Sequence, residues 1–261
     1  LRIGIPIVPH YLSGIILNQG DRIMIDKMVG KTEVALYGLA YSIGMLVQLF
    51  ISGMNSALTP WMYSKIKKGD IRSMRKVLQL LSVVVVGIAV ALMLISPEMV
   101  LIFGSPKYRE AVYVIPPVAA SVFFIFIYNI LSMPQFYYEK TQFLMAASMA
   151  AAGANVVLNF IFIRLFGYIA AGYTTLACYM LYSVGHYIVS KRILVNEGIQ
   201  ENLMNPGFLL ACSVFLIGAS IICNLIFPYR ILRYAILLAS AGLVFWKKEL
   251  LLKTMADIRK K

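Results

Sequence analysis

Apolar stretches long enough to cross a bilayer follow one another along almost the whole chain, separated by only a few residues. A crossing takes ~20 helical residues, and the stretches 3–28, 34–62, 77–103, 112–137, 142–163, 168–190, 206–227 and 231–247 are each of about that length or longer. Hydrocarbon offers no partner to an unpaired backbone N–H or C=O, so each stretch is read as a helix and not as a strand. Composition agrees. Of the 261 residues 61% are hydrophobic and 13% charged, with a mean hydropathy of +0.81, whereas a soluble domain is about a quarter charged. These figures exclude a soluble enzyme, a disordered chain and a disulfide-stapled secreted domain. The expected fold class is all-α integral membrane, with eight transmembrane helices.

The gaps between spans are too short to hold an inserted soluble domain, and the longest are 64–76 and 191–205. The net charge of +13 would suggest nucleic acid in a soluble protein. No basic aromatic surface accompanies it, so no nucleic-acid partner is expected. The charge reads instead as an orientation signal, since cytoplasmic loops retain Lys and Arg. With the N-terminus placed inside, Lys27, Lys31, Lys107, Arg109, Arg164, Arg230 and Arg233 fall in outer loops and Arg22 falls within the first span. All other Lys and Arg lie in inner loops or in the C-terminal tail from Lys247 onward. Both ends of the chain are therefore expected in the cytoplasm, as an even number of spans requires. Cys178, Cys212 and Cys223 lie in apolar runs without metal-binding spacing, so they read as packing residues. No metal or other cofactor is expected. The chain begins at Leu1 inside an apolar run, which reads as a fragment preceded by a missing N-terminal part.

Function should reside in the few polar groups placed where hydrocarbon makes them costly. At 100° per residue, His10, Gly14, Asn18 and Asp21 share one face of the first span. Tyr41, Gln48, Ser52, Asn55 and Thr59 share a face of the second. Ser121, Tyr128, Ser132 and Gln135 form a stripe on the fourth, with Asn129 beside it. The fifth carries Ser148, Asn155 and Asn159, and the sixth Thr175, Tyr179, Tyr182 and His186. Spans three, seven and eight lack such stripes and are expected to face lipid more than the others. Single Ser and Thr residues in such stripes commonly join helices. His186 reads first as a satisfied or interfacial histidine. Adjacent residues do not face each other on a helix, so Asp21 and Arg22 are expected to split, one pairing with a neighbouring helix and the other facing a cavity. Pro6, Pro9, Pro60, Pro116, Pro117 and Pro134 mark expected kinks. Nucleotide-binding, zinc-protease and serine-hydrolase motifs are absent from the sequence, so no catalytic residues are expected and the chain reads as a non-enzyme.

The segment GIPIVPHYLSGIILNQGDRIMIDKMVG resembles the start of the second half of polysaccharide flippases in the multidrug/oligosaccharidyl-lipid/polysaccharide (MOP) exporter superfamily. EVALYGLAYSIGMLVQLF and FYYEKTQFLMAAS extend the likeness. ANVVLNFIFIRLFGYIAAGYTTL (154–176) is similar to the family pattern N-x-x-L-N…FG-x-x-A-A…T, with Arg164 where members often have proline. The resemblance covers residues 1 to about 190. It implies two six-helix lobes across a central cavity. Residues 1–190 would form the C-terminal lobe, 191–205 a cytoplasmic loop, 206–247 two additional transmembrane helices and 248–261 a basic cytoplasmic tail.

By the same resemblance, such a protein moves an undecaprenyl-diphosphate-linked oligosaccharide across the bacterial cytoplasmic (inner) membrane for surface polysaccharide biosynthesis. Its partners would be the lipid-linked oligosaccharide, membrane lipid and the missing N-terminal lobe of the same protein. Sugars need hydrogen-bonding groups and the diphosphate needs cations. The candidate substrate-binding residues are accordingly Asn18, Asp21, Arg22, Gln48, Asn55, Asn129, Asn155 and Asn159. Two other readings stay open, a cation-coupled multidrug exporter of the same superfamily and an integral-membrane polysaccharide polymerase. The first calls for buried carboxylates, and Asp21 alone lies well inside a span. The second calls for a large outer loop, and every outer loop is short.

Overall fold

The computed structural model describes residues 4–246, and the described part is built of helices. In chain order these are α1 (Gly4–Met28), α2 (Lys31–Gly44), α3 (Leu46–Lys67), α4 (Ile71–Phe103), a 3-10 segment (Pro106–Val114), α5 (Ile115–Tyr137), α6 (Gln142–Phe166), α7 (Ala170–Asn196), α8 (Pro206–Ile226) and α9 (Arg230–Trp246). Counting α2 and α3 as one broken crossing gives the eight spans. Lys31–Lys67, Ile71–Phe103, Pro106–Tyr137, Gln142–Phe166 and Pro206–Ile226 are each apolar and long enough to cross a membrane on composition alone. The other spans carry charged or polar stripes or are shorter. The basic tail 248–261 lies outside the described residues.

Local chemistry sets the helix ends. Asp70 caps α4 by accepting the Ser73 N–H at 3.3 Å. Asn205 caps α8, accepting the Gly207 N–H at 2.8 Å ahead of the apolar run. Gly167 ends α6 at φ 75°, a left-handed conformation that favours glycine. Pro116 and Pro117 do not kink a span as the sequence reading expected. They occupy the first turn of α5, where a missing N–H costs nothing.

The second span is not one straight helix. It breaks at Met45, whose backbone (φ −81°, ψ 0°) ends α2 and starts α3. Gly44 lies so close to α5 that a Cβ there would come within 2.6 Å of Val118 Cγ1.

α5 is the axis of the bundle. Phe123, Phe126 and Ile115 are fully buried, as are Val118, Ala119 and Ala120. It packs most extensively on α7 and α4, and also on α3, α2 and α8, while α1 lies against α6 and α2. The expectation that span three faces lipid needs correction. α4 is half buried, packed chiefly on α5 and also on α8, α3, α2 and α9, and α6 presents the broader exposed face, with Val157, Phe160, Ile161 and Leu165 exposed. At one end of the bundle Arg75 Nε donates to the Asn202 carbonyl at 2.7 Å and Arg72 lies 3.4 Å from Glu201. The loops 64–76 and 191–205 therefore meet. At the other end Asn224 Nδ2 donates to the Tyr173 hydroxyl at 2.8 Å.

Candidate functional site

The polar stripe of α1 faces inward over a cavity of about 700 Å³. From α1 it is lined by His10, Gly14, Asn18 and Arg22, and opposite them stand Tyr41 of α2, Tyr128 of α5, Ser148 of α6, and Tyr179 and Tyr182 of α7. His10, Gly14 and Asn18 of the predicted stripe are thus on one wall, and tyrosines of three other helices, with Ser148 of a fourth, form the other.

Asn18 organises the middle of this wall. Its amide N–H donates back to the Gly14 carbonyl at 2.8 Å. Its oxygen accepts the Tyr41 hydroxyl at 2.7 Å and the Tyr179 hydroxyl at 3.3 Å. Beside it, Arg22 donates to Gln19 Oε1 at 2.9 Å and lies 5.3 Å from the Tyr41 ring centroid. Both contacts leave donors of the guanidinium free, and its Nε has no protein partner. A guanidinium so held offers the planar fork that matches a phosphate.

One residue earlier, Asp21 turns away from the cavity and is fully buried. Tyr37 of α2 donates to Oδ2 at 2.6 Å and Thr175 of α7 donates to the same oxygen at 2.7 Å. Asn159 of α6 donates to Oδ1 and, at 3.1 Å, to Asn155 Oδ1. The Thr174 hydroxyl lies against Asn159 Oδ1. Charge-assisted bonds of this kind are the strong ones, and three converging donors are what an unpaired carboxylate needs in such a setting. The cluster ties α1, α2, α6 and α7 together. No group of three or more His, Cys, Asp and Glu that could hold a metal ion occurs among the described residues.

The eight expected site residues thus divide into three groups. Asn18 and Arg22 line the cavity. Asp21, Asn155 and Asn159 form the buried cluster behind it, all fully buried. Gln48, Asn55 and Asn129 stand away from the cavity wall, and Gln48 Oε1 is buried without a protein partner. The break at Met45 explains the displacement of Gln48 and Asn55. It interrupts the 100° progression, so Tyr41 reaches the cavity and the stripe beyond it does not continue there. The site-residue reading missed Tyr37 and Thr175 as Asp21 partners, Thr174 as a partner of Asn159, and the cavity tyrosines. Tyr41, Tyr128, Thr175, Tyr179 and Tyr182 did lie on predicted polar stripes, and that was the available signal.

A second element escaped the sequence reading. Arg233, counted there as an outer-loop charge, lies on α9 and makes a bidentate pair with Glu98 of α4, both contacts 2.8 Å. It also donates to the Leu94 carbonyl at 2.6 Å. The pair fixes α9 to the bundle far from the cavity.

A profile of the MatE family matches residues 6–161, from the start of α1 into α6. The chain belongs to the MatE family. MatE is a family of the MOP superfamily, and the match takes in both Asn18–Arg22 and Asn155–Asn159. The chain is 29% identical over 157 residues to "Lsg locus putative protein 1" of Haemophilus influenzae, covering 57% of this chain and 38% of that protein. It is 31% identical over 134 residues to an "Uncharacterized membrane protein" of the same organism, covering 48% of this chain and 32% of that one. The MatE chain matches about a third of the length of these curated relatives. No solved structure matches significantly.

Proposed function

We propose that this chain is the C-terminal lobe (1–190) of a flippase for an undecaprenyl-diphosphate-linked oligosaccharide, followed by a cytoplasmic loop and two additional helices. It works in the bacterial inner membrane, with both ends of the chain cytoplasmic. The observation that carries the reading is the composition of the cavity. A single guanidinium stands in a wall of phenol and amide groups, with an open stretch at Gly14, where a Cβ would meet nothing within 4 Å. Phenol rings offer a sugar both a flat apolar face and a hydroxyl, and a guanidinium offers a diphosphate paired donors. A facing N-terminal lobe supplies the other wall and further cations.

The test is export of surface polysaccharide by the full-length protein in a flippase-deficient strain. Arg22→Ala abolishes export while leaving membrane insertion and folding intact, and wild-type export by that variant sinks the assignment. A cation-coupled drug exporter is the second reading, favoured by the buried carboxylate of Asp21. A drug-efflux assay run beside the glycan assay separates the two.

A further inference from the structure

The sequence contains two histidines, His10 and His186, and the fold brings both to one tyrosine. The Tyr182 hydroxyl is 3.2 Å from His10 Nδ1, and its ring stands edge-on to the His186 ring with centroids 4.5 Å apart. His10 lines the cavity. His186 lies one turn further along α7, fully buried, with its Nδ1 2.7 Å from the Gln135 side-chain nitrogen of α5. With that NH2 group as donor, Nδ1 is the acceptor and the neutral ring carries its proton on Nε2.

Three buried polar atoms around this contact have no protein partner: Gln135 Oε1, His186 Nε2 and Ser190 Oγ. Ser190 is one turn beyond His186 on the same face of α7 and is itself buried. Buried polar atoms are normally satisfied, so three together need an explanation. A packing role for His186 gives none, because Leu or Phe would fill the space without orphaned atoms. Proton binding does. An imidazolium donates from both nitrogens and needs an acceptor at each. Turning the Gln135 amide about its last bond exchanges its NH2 for its oxygen opposite Nδ1 with no change of volume, at the loss of a long 3.4 Å contact from that NH2 to the Leu131 carbonyl, and Ser190 Oγ is a further unpartnered acceptor one turn along α7. The groups that can titrate around the ring are Tyr128 of α5, 5.8 Å away, Tyr182 of α7 and, across Tyr182, His10 of α1.

We propose that His186, Gln135 and Ser190 form a proton-binding site in the half of the membrane nearer the 191–205 loop, with Gln135 acting as the donor–acceptor switch. The proton adds to the His186 imidazole, and the Gln135 amide reverses to accept from Nδ1–H. The charge gained there sits one phenol ring from the cavity wall.

Full-length protein carrying 15N-labelled histidine in lipid nanodiscs, titrated by NMR from pH 8 to pH 5, tests this, with His186→Asn identifying the signal. The expected result is a reversible change of His186 from the Nε2-protonated neutral ring to imidazolium. Gln135→Glu, which supplies a fixed acceptor, raises its proton affinity at least tenfold, and Gln135→Leu lowers it at least tenfold. A His186 that stays neutral down to pH 5 in the wild type overturns the proposal, as does a midpoint that Gln135→Glu leaves unmoved. The titration needs no substrate, so its outcome is independent of the glycan-export assay.

Discussion

Asp21 and Arg22 are consecutive in the chain and look in different directions: the carboxylate is enclosed by Tyr37, Asn159 and Thr175, while the guanidinium stands on the cavity wall over Tyr41. No ion pair joins them among the described residues. One residue joins four helices and the next meets whatever enters the cavity, so the two should respond differently to substitution.

For Arg22 the effect should fall on ligand binding and not on folding. A hydrogen bond to a charged group contributes about 1.5–3 kcal/mol, so Arg22→Ala should weaken binding of a phosphate-bearing ligand by roughly 10- to 100-fold. Arg22→Lys keeps the charge without the fork and should fall between. Ligand-binding isotherms on the purified full-length protein, beside its thermal midpoint, check both statements.

Asp21 should show the opposite pattern in stability. Asp21→Ala strands the Tyr37, Thr175 and Asn159 donors, and an unsatisfied buried polar group costs about 1–3 kcal/mol. A large drop in the detergent-solubilised unfolding midpoint is expected. Tyr37→Phe removes one donor and one bond only, so its drop should be clearly smaller. Equal midpoints for the two variants would contradict the convergent arrangement.

The close approach of α2 to α5 makes a paired prediction. Gly44→Val drives a side chain into Val118, and overpacking of this kind costs about 1–3 kcal/mol or more. Val118→Ala opens the space, so the double variant should recover stability relative to Gly44→Val alone. Simple additivity of the two losses would mean that the residues do not meet.

The Arg233–Glu98 pair predicts a similar rescue. Removing one partner of a buried pair costs about 3–5 kcal/mol, and because Glu98 keeps a quarter of its side chain exposed, the low end is expected. Arg233→Ala should loosen α9, read as faster protease cleavage in the 227–230 connection. Arg233→Met combined with Glu98→Met restores an uncharged contact and should return the cleavage rate towards wild type.

The spans were legible because helix length against bilayer thickness is a one-dimensional property of the sequence. The split between Asp21 and Arg22 followed from helical geometry alone, and the four-residue spacing of Asn155 and Asn159 put them on one face. Less visible was everything set by contact between distant segments. Nothing local to SIGMLV reveals that Gly44 meets Val118, so the polar face of the second span was drawn straight through a break. Arg233 and Glu98 each lie near a span end, where a charge on its own reads as solvated. Tyr37 lies one turn before Tyr41 on the same face of α2, so the stripe begun at Tyr41 stopped one turn short, and only the position of Asp21 gives Tyr37 a role.

The burial of α5 has a consequence for how such a sequence tolerates variation. A helix enclosed on every side by other helices never uses lipid as its solvent, so side-chain volume, not hydropathy, decides which replacements it accepts. The outward residues of α6 and α8 obey the reverse rule: Phe160 or Leu210 can change size freely provided it stays apolar. Saturation mutagenesis should therefore reveal two kinds of apolar position along one chain, and the boundary between them would trace the outline of α5.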